Sequence, residues 1–86
     1  MIRLGGMPSK PSSPAKPSAR ERVAVNIRRL RTAQGLSQEQ LADVADFHRT
    51  YVSQLERRVT NISIDGLERL ADVLGVDIVD LLQPPD

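Results

Sequence analysis

The side chains of residues 49–57 carry hydrogen-bonding groups suited to reading the edges of base pairs. On a helix, five of them share one polar face, whereas Val52 and Leu55 lie on the opposite side. Arg matches the acceptors of guanine and Gln matches adenine, so such a face can enter a major groove. The spacing therefore predicts a DNA-reading helix whose polar face consists of Arg49, Thr50, Ser53, Gln54 and Arg57.

Two blocks of the chain resemble the Cro/repressor-type helix-turn-helix family, also called XRE-like. The first joins Leu-Ser-Gln-Glu-Gln-Leu-Ala at 36–42 to Thr-Tyr-Val-Ser-Gln-Leu-Glu-Arg at 50–57. The second, at 63–76, resembles the family's fourth helix and its glycine stop. Arg-Thr-Tyr at 49–51 and Asn-Ile-Ser-Ile at 61–64 are most similar to restriction-modification controller proteins. The resemblance implies a sequence-specific transcriptional regulator.

Composition limits the fold to one small domain with an aliphatic core. The 86 residues are 40% hydrophobic but include one Phe, one Tyr and no Trp, which favours a helical bundle. Cysteine is absent, so a disulfide framework and a thiolate metal site are excluded. No apolar run reaches the length of a membrane span, and we expect a cytoplasmic protein without a membrane partner.

Charge is unevenly distributed along the chain. Residues 1–58 hold eleven of the twelve Lys and Arg and five of the eleven acids, a net charge of +6. Residues 59–86 hold one Arg and six acids, a net charge of −5. Charges that merely decorate exposed helix faces are the alternative, but together with the helix-turn-helix pattern the asymmetry favours a phosphate-facing side.

The pattern divides the chain into a Pro/Ser/Lys-rich disordered arm at 1–18, a helix-turn-helix DNA-binding domain at 19–83 and a tail at 84–86. The domain is predicted to be all-α, with five helices in a repressor-like arrangement and no strand. Helix starts are indicated by polar N-caps, and helix ends by glycines. These are the N-caps Ser18, Ser37, Ser63 and Asp77, and the stops Gly35 and Gly75.

The turn at 44–48 departs from the family pattern at two positions. Asp46 stands where the family usually has Gly, and Asp tolerates a positive φ better than most residues. His48 stands where a Ser, Thr or Asp usually caps the recognition helix, and His is a poorer cap. We expect His48 either to cap the helix or to bond a phosphate.

The DNA contacts divide into base reading and backbone binding. Arg49 is the strongest base-reading candidate because its planar fork can address guanine O6 and N7 together, although phosphate binding is a rival role. Thr50, Ser53 and Gln54 complete the base-reading set. The resemblance implies that Gln38 and Asn61 contact the DNA backbone. The other backbone candidates are Ser37, His48, Tyr51, Arg57 and Arg58.

Two further roles are structural. Tyr51 is the single tyrosine, and two roles explain it equally well. Its ring can pack under the recognition helix, or its hydroxyl can also contact a phosphate. The resemblance implies an ion pair between Arg31 and Glu56, which would join the first helix to the end of the recognition helix.

We expect no enzyme activity, no cofactor, no metal site and no small-molecule ligand. One His, no Cys and scattered carboxylates give neither a triad nor a metal cluster. We expect double-stranded DNA as the partner and a homodimer as the binding form, because single reading heads of this size are normally duplicated.

The dimer surface is sought in exposed apolar residues, with Ile78, Leu81 and Leu82 expected to face inward. The candidates are Val59, Ile62, Val79 and Leu82. The alternative function is an antitoxin-type interaction protein, which would neutralise a protein partner and autoregulate its operon.

Overall fold

The computed structural model describes residues 16–85, which form five helices and no strand. This confirms the predicted all-α fold. The predicted disordered arm lies outside the described residues except for 16–18, and so does Asp86. Within 16–85, no helix is both long and apolar enough to cross a bilayer. The helices are α1 Ala19–Ala33, α2 Gln38–Val44, α3 Tyr51–Glu56, α4 Ile64–Leu74 and α5 Ile78–Leu82.

The helix boundaries follow from local side-chain chemistry. The Ser18 hydroxyl accepts from the Glu21 N–H and the Ser63 hydroxyl from the Gly66 N–H, as expected of N-caps. Ser37 forms a reciprocal capping box with Gln40, and Asp77 forms one with Asp80. The predicted stops Gly35 and Gly75 adopt φ of 73° and 75°, which glycine reaches without strain. All six predicted boundary residues are confirmed.

The core is a single aliphatic cluster that joins all five helices. It fixes which face of α3 is outward, because Val52 and Leu55 are 0% and 3% exposed. The remaining residues of α3 are polar and partly buried, namely Tyr51, Ser53, Gln54 and Glu56. The other buried members are Val23, Ile27, Leu41, Ala42, Ala45, Leu67, Leu70, Ala71, Leu74 and Leu81.

The turn between α2 and α3 has the predicted left-handed residue, since Asp46 adopts φ of 60°. One expectation was wrong here, because Arg49 and Thr50 were placed on the recognition helix, whereas α3 begins at Tyr51. The Tyr51 N–H bonds to the His48 carbonyl three residues back, so the chain enters the helix through a tight turn. Arg49 and Thr50 lie in that turn.

Helix α5 is attached to α1 by a buried side chain that the sequence pattern did not reveal. Asn26, 1% exposed, donates from its amide to the carbonyls of Leu81 at 3.1 Å and Gln83 at 2.9 Å. These carbonyls at the end of α5 would otherwise be unpaired. The expectation that Leu82 faces inward was wrong, because it is 37% exposed where the short helix ends.

Asn26→Ala should lower the free energy of unfolding by about 1–3 kcal/mol, because it leaves the buried Leu81 carbonyl without a donor. Chemical denaturation measures this loss. Asn61→Ala is the matched control, because the Asn61 side chain bonds to Arg20 at the exposed surface, and it should change stability by at most about 0.5 kcal/mol. Equal losses in both variants would show that Asn26 does not hold α5.

Candidate nucleic-acid interface

Five polar side chains of α3, of the turn before it and of the residue after it make up what we call the reading surface. It consists of the five side chains predicted from their spacing. Ser53 and Gln54 are half-buried against neighbouring structure, whereas the other three are exposed. The surface thus projects most at its two ends, where the arginines lie. Its members are Arg49, Thr50, Ser53, Gln54 and Arg57.

A buried carboxylate holds this surface in place. Glu56 Oε2 accepts from Arg31 Nε at 2.7 Å, and Glu56 Oε1 accepts from Arg31 Nη2 at 3.1 Å. The pair is bidentate, and the Glu56 side chain is 3% exposed. Arg31 also donates to the Leu36 carbonyl at 2.8 Å. The structure therefore contains the ion pair between α1 and α3 that the family resemblance implied.

Gln38 adds α2 to the same network. Its amide donates to Glu56 Oε1 at 2.9 Å, although the sequence predicted a contact with the DNA backbone. A primary amide has a second N–H, so the bond to Glu56 fixes the side chain without using all of its donors. Ser37 serves as the α2 cap. Both residues lie at the N-terminus of α2, where the capping box already uses the N–H groups of Ser37 and Gln40.

His48 lies at the entrance to α3 and contacts Thr50. The ring Nδ1 accepts from the Thr50 N–H at 3.4 Å and lies 3.1 Å from the Thr50 hydroxyl. Thr50 is the N-cap of α3, but its side chain makes no capping hydrogen bond. The His48 ring instead accepts from a backbone N–H of the turn. The ring is exposed, and a second nitrogen, Nε2, remains for another partner.

Tyr51 belongs to a packed cluster behind the reading surface. Its ring centroid lies 4.8 Å from that of Phe47, and the Arg69 guanidinium lies 4.3 Å from the Phe47 centroid. Burial raises the pKa of Tyr51, and Arg69 opposes this rise. The Tyr51 hydroxyl donates to the Asn61 carbonyl at 2.5 Å. Packing accounts for Tyr51 in this structure.

The loop after α3 is tied to the start of α1 and back to α3. Arg58 adopts φ of 63°, which ends α3 and turns the chain. Its guanidinium lies 4.0 Å from Glu21, at the start of α1. Asn61 Oδ1 accepts from Arg20, and the carbonyl of Asn61 accepts from Tyr51. Asn61 is thus a positioned residue, and Arg20 is a partner that the sequence pattern did not single out.

Arg49 has a partner that the sequence also failed to reveal. Its Nη2 lies 2.6 Å from Glu39 Oε2, and the two side chains are 70% and 64% exposed. This hydrogen bond and charge raise the pKa of Arg49. Glu39 is ten residues earlier in the chain and on α2, so no helical spacing could have paired it with Arg49.

The four predicted dimer residues are accessible to different degrees. Val59 is 62% exposed and Val79 55%, whereas Ile62 packs partly against the core. Ile62 and Leu82 line one open groove with Val23, beside the start of α1. Val79 lies on the outer side of α5. In the described part of the chain, no three His, Cys, Asp or Glu residues group as metal ligands would.

Comparison with known proteins identifies the family. A helix-turn-helix family model matches residues 27–81, which is more than half of the chain. The chain belongs to the helix-turn-helix family. The control protein C.BamHI of Bacillus amyloliquefaciens is 44% identical over 57 residues, which cover 65% of this chain and 70% of that protein.

Solved structures agree with this assignment. The hypothetical transcription factor NHTF from Neisseria has a TM-score of 0.78 and 37% identity, and the match covers 93% of this chain and 90% of that one. The biofilm master regulator SinR, solved in complex with DNA, has a TM-score of 0.67 and 35% identity, and the match covers 71% and 98%.

Membership of the helix-turn-helix family confirms the predicted family and fold. It also confirms the predicted class of function, a DNA-binding transcriptional regulator. In helix-turn-helix terms, α2 and α3 are the two helices of the motif, and α3 is the recognition helix.

Arg31→Ala should behave as a folding mutation, because it leaves Glu56 as a buried charge without its partner. We expect the free energy of unfolding in the absence of DNA to fall by about 3 kcal/mol, which thermal unfolding would detect as a lower midpoint. Arg57→Ala, the same truncation at an exposed position, should leave the thermal midpoint nearly unchanged. A normal midpoint for Arg31→Ala would rule out the structural role of the pair.

Proposed function

We propose that this protein regulates transcription by binding a pseudo-palindromic operator as a homodimer. The two copies of α3 would enter successive major grooves roughly 34–36 Å apart. The observation that carries the proposal is the reading surface itself, whose side chains are polar and outward while Val52 and Leu55 behind them are buried. A recognition helix needs both kinds of side chain, because the apolar ones attach it to the core and the polar ones contact bases.

In this proposal, base reading falls to the turn before α3 and to the middle of that helix. Arg49 is the main reader, because its exposed fork can donate two parallel N–H bonds to guanine. Thr50 beside it can contact a thymine methyl. Ser53 and Gln54 are half-buried and reach less far, so they read the base pairs that approach α3 most closely.

Contacts with the DNA backbone flank the base-reading residues and fix their position on the duplex. At the N-terminus of α2, the Ser37 hydroxyl and the second amide N–H of Gln38 would bind one phosphate. At the other end of α3, exposed Arg57 and Arg58 would bind another. The remaining backbone candidates are His48, through its ring, and Tyr51 and Asn61, through the loop that they hold together.

Dimerisation supplies the contact area that one small domain lacks. The exposed valines, Val59 and Val79, together with the groove of Ile62 and Leu82, offer apolar surface outside the core of a single chain. In the proposed dimer these residues are covered by the partner copy. Such a surface also sets the distance between the two reading surfaces.

The narrower role that we propose is that of a restriction-modification controller, which would regulate genes for an endonuclease and its methyltransferase. The similarity to the control protein C.BamHI supports this. The proposal gives the protein no catalytic role and places it in the cytoplasm, with the DNA that it binds.

Arg49→Ala should lower the preference for one base pair per half-site roughly tenfold or more, and should leave non-specific binding nearly intact. Arg57→Ala is its matched control, because the same truncation at a phosphate contact should weaken all sequences similarly. Arg57→Ala should also make the negative slope of log K against log salt shallower by about one unit. Titrations of operator and unrelated duplexes at several salt concentrations measure both.

If Arg49→Ala weakened every duplex by the same factor, Arg49 would bind phosphate and the base-reading assignment would be wrong. An unchanged salt slope for Arg57→Ala would remove Arg57 from the interface.

Val79→Glu should shift the protein towards monomer, because a charge would be desolvated in the dimer interface. The fold should survive, since Val79 is 55% exposed in the single chain. Val44→Glu, at a residue on α2 that is 58% exposed, is the matched control and should leave the dimer intact. Sedimentation before and after each change is the measurement. A Val79→Glu protein that remains fully dimeric would move the interface elsewhere.

A further inference from the structure

Glu39 lies beside the reading surface, in contact with Arg49, and no role described so far explains it. It is the second residue of α2, and its neighbours already perform the structural work there. Ser37 and Gln40 form the capping box, and Gln38 bonds to Glu56. The Glu39 side chain instead projects outward, and its Oε2 lies 2.6 Å from Arg49 Nη2.

The geometry of this pair leaves Arg49 able to read a base. One carboxylate oxygen contacts one guanidinium nitrogen, whereas an arginine fork has five N–H donors. Two parallel donors therefore remain for guanine O6 and N7 while Glu39 stays bound. Holding the fork before DNA arrives also reduces the side-chain entropy that reading would cost.

The charge of Glu39 affects the two rival uses of Arg49 unequally. A phosphate bound by Arg49 would carry its negative charge next to the carboxylate, and the repulsion would weaken that contact. Guanine O6 and N7 are uncharged acceptors, so they meet less of this repulsion. A carboxylate beside the fork thus disfavours phosphate binding more than base reading.

We propose that Glu39 determines the selectivity of this regulator, by holding the Arg49 guanidinium ready for guanine and by disfavouring its use as a phosphate clamp. Glu39 is a positioning residue, since it acts through Arg49. The inference rests on the proposed base-reading function of Arg49.

The test compares two duplexes at one stated salt concentration. One is recovered by selection from a random pool, and the other has the guanine read by Arg49 replaced. The ratio of the two affinities should fall about fivefold in Glu39→Ala, the upper range for loss of an exposed ion pair. The ratio should fall less in Glu39→Gln, because the glutamine amide oxygen still accepts a hydrogen bond from Arg49. Glu68→Ala, on α4, removes the same charge and should leave the ratio unchanged.

A double-mutant cycle separates positioning from a general effect on the fold. In an Arg49→Ala background, Glu39→Ala should no longer change the ratio, and the thermal midpoints of the paired proteins should agree. An unchanged ratio in the Glu39→Ala single variant would overturn the inference, and so would an equal change in both backgrounds.

The same measurements distinguish the two levels of failure. A wild-type protein with no base preference, or one that keeps its preference after Arg49→Ala, would overturn the base-reading function of Arg49. A wild-type preference that Arg49→Ala removes and Glu39→Ala preserves would overturn only the role of Glu39.

Discussion

The Glu56 carboxylate is the contact on which the orientation of the recognition helix depends. It receives Arg31 from α1 and Gln38 from α2, so three helices meet at one buried charge. A six-residue helix such as α3 is too short to be stable alone, and only two of its residues are fully buried in the apolar core. The bidentate pair adds a directional contact to this packing. Buried ion pairs add little net stability, and fixing an orientation is the use that we infer for this one.

Helix α1 is the common reference for both proposed surfaces. Near its C-terminus Arg31 holds α3, and one turn and a half earlier Asn26 holds the end of α5. In the proposed dimer, α5 sets the position of the partner and α3 reads the DNA. In that dimer, α1 connects α5 to α3 and so helps to set the distance between the two recognition helices. Side-chain bonds to buried groups suit this purpose, because their geometry is less adaptable than apolar packing.

The sequence predicted the parts that depend on local chemistry. Helix starts at Ser37 and Asp77, and the turn at Asp46, follow from residues within a few positions of each other. The Arg31–Glu56 pair came from the family resemblance. Asn26 and Glu39 were missed because their partners lie far along the chain or across a turn. An asparagine on an otherwise apolar side of α1 was the one available signal for Asn26.

The central claim is that two copies of the reading surface bind one operator in a fixed register. Selection of bound sequences from a random duplex pool, at a stated salt concentration, tests this most directly. The selected DNA should contain one short motif twice, in inverted orientation, with centres about 10–10.5 base pairs apart or a multiple of that. A bound pool without a shared motif, or with a single unrepeated one, would contradict the claim.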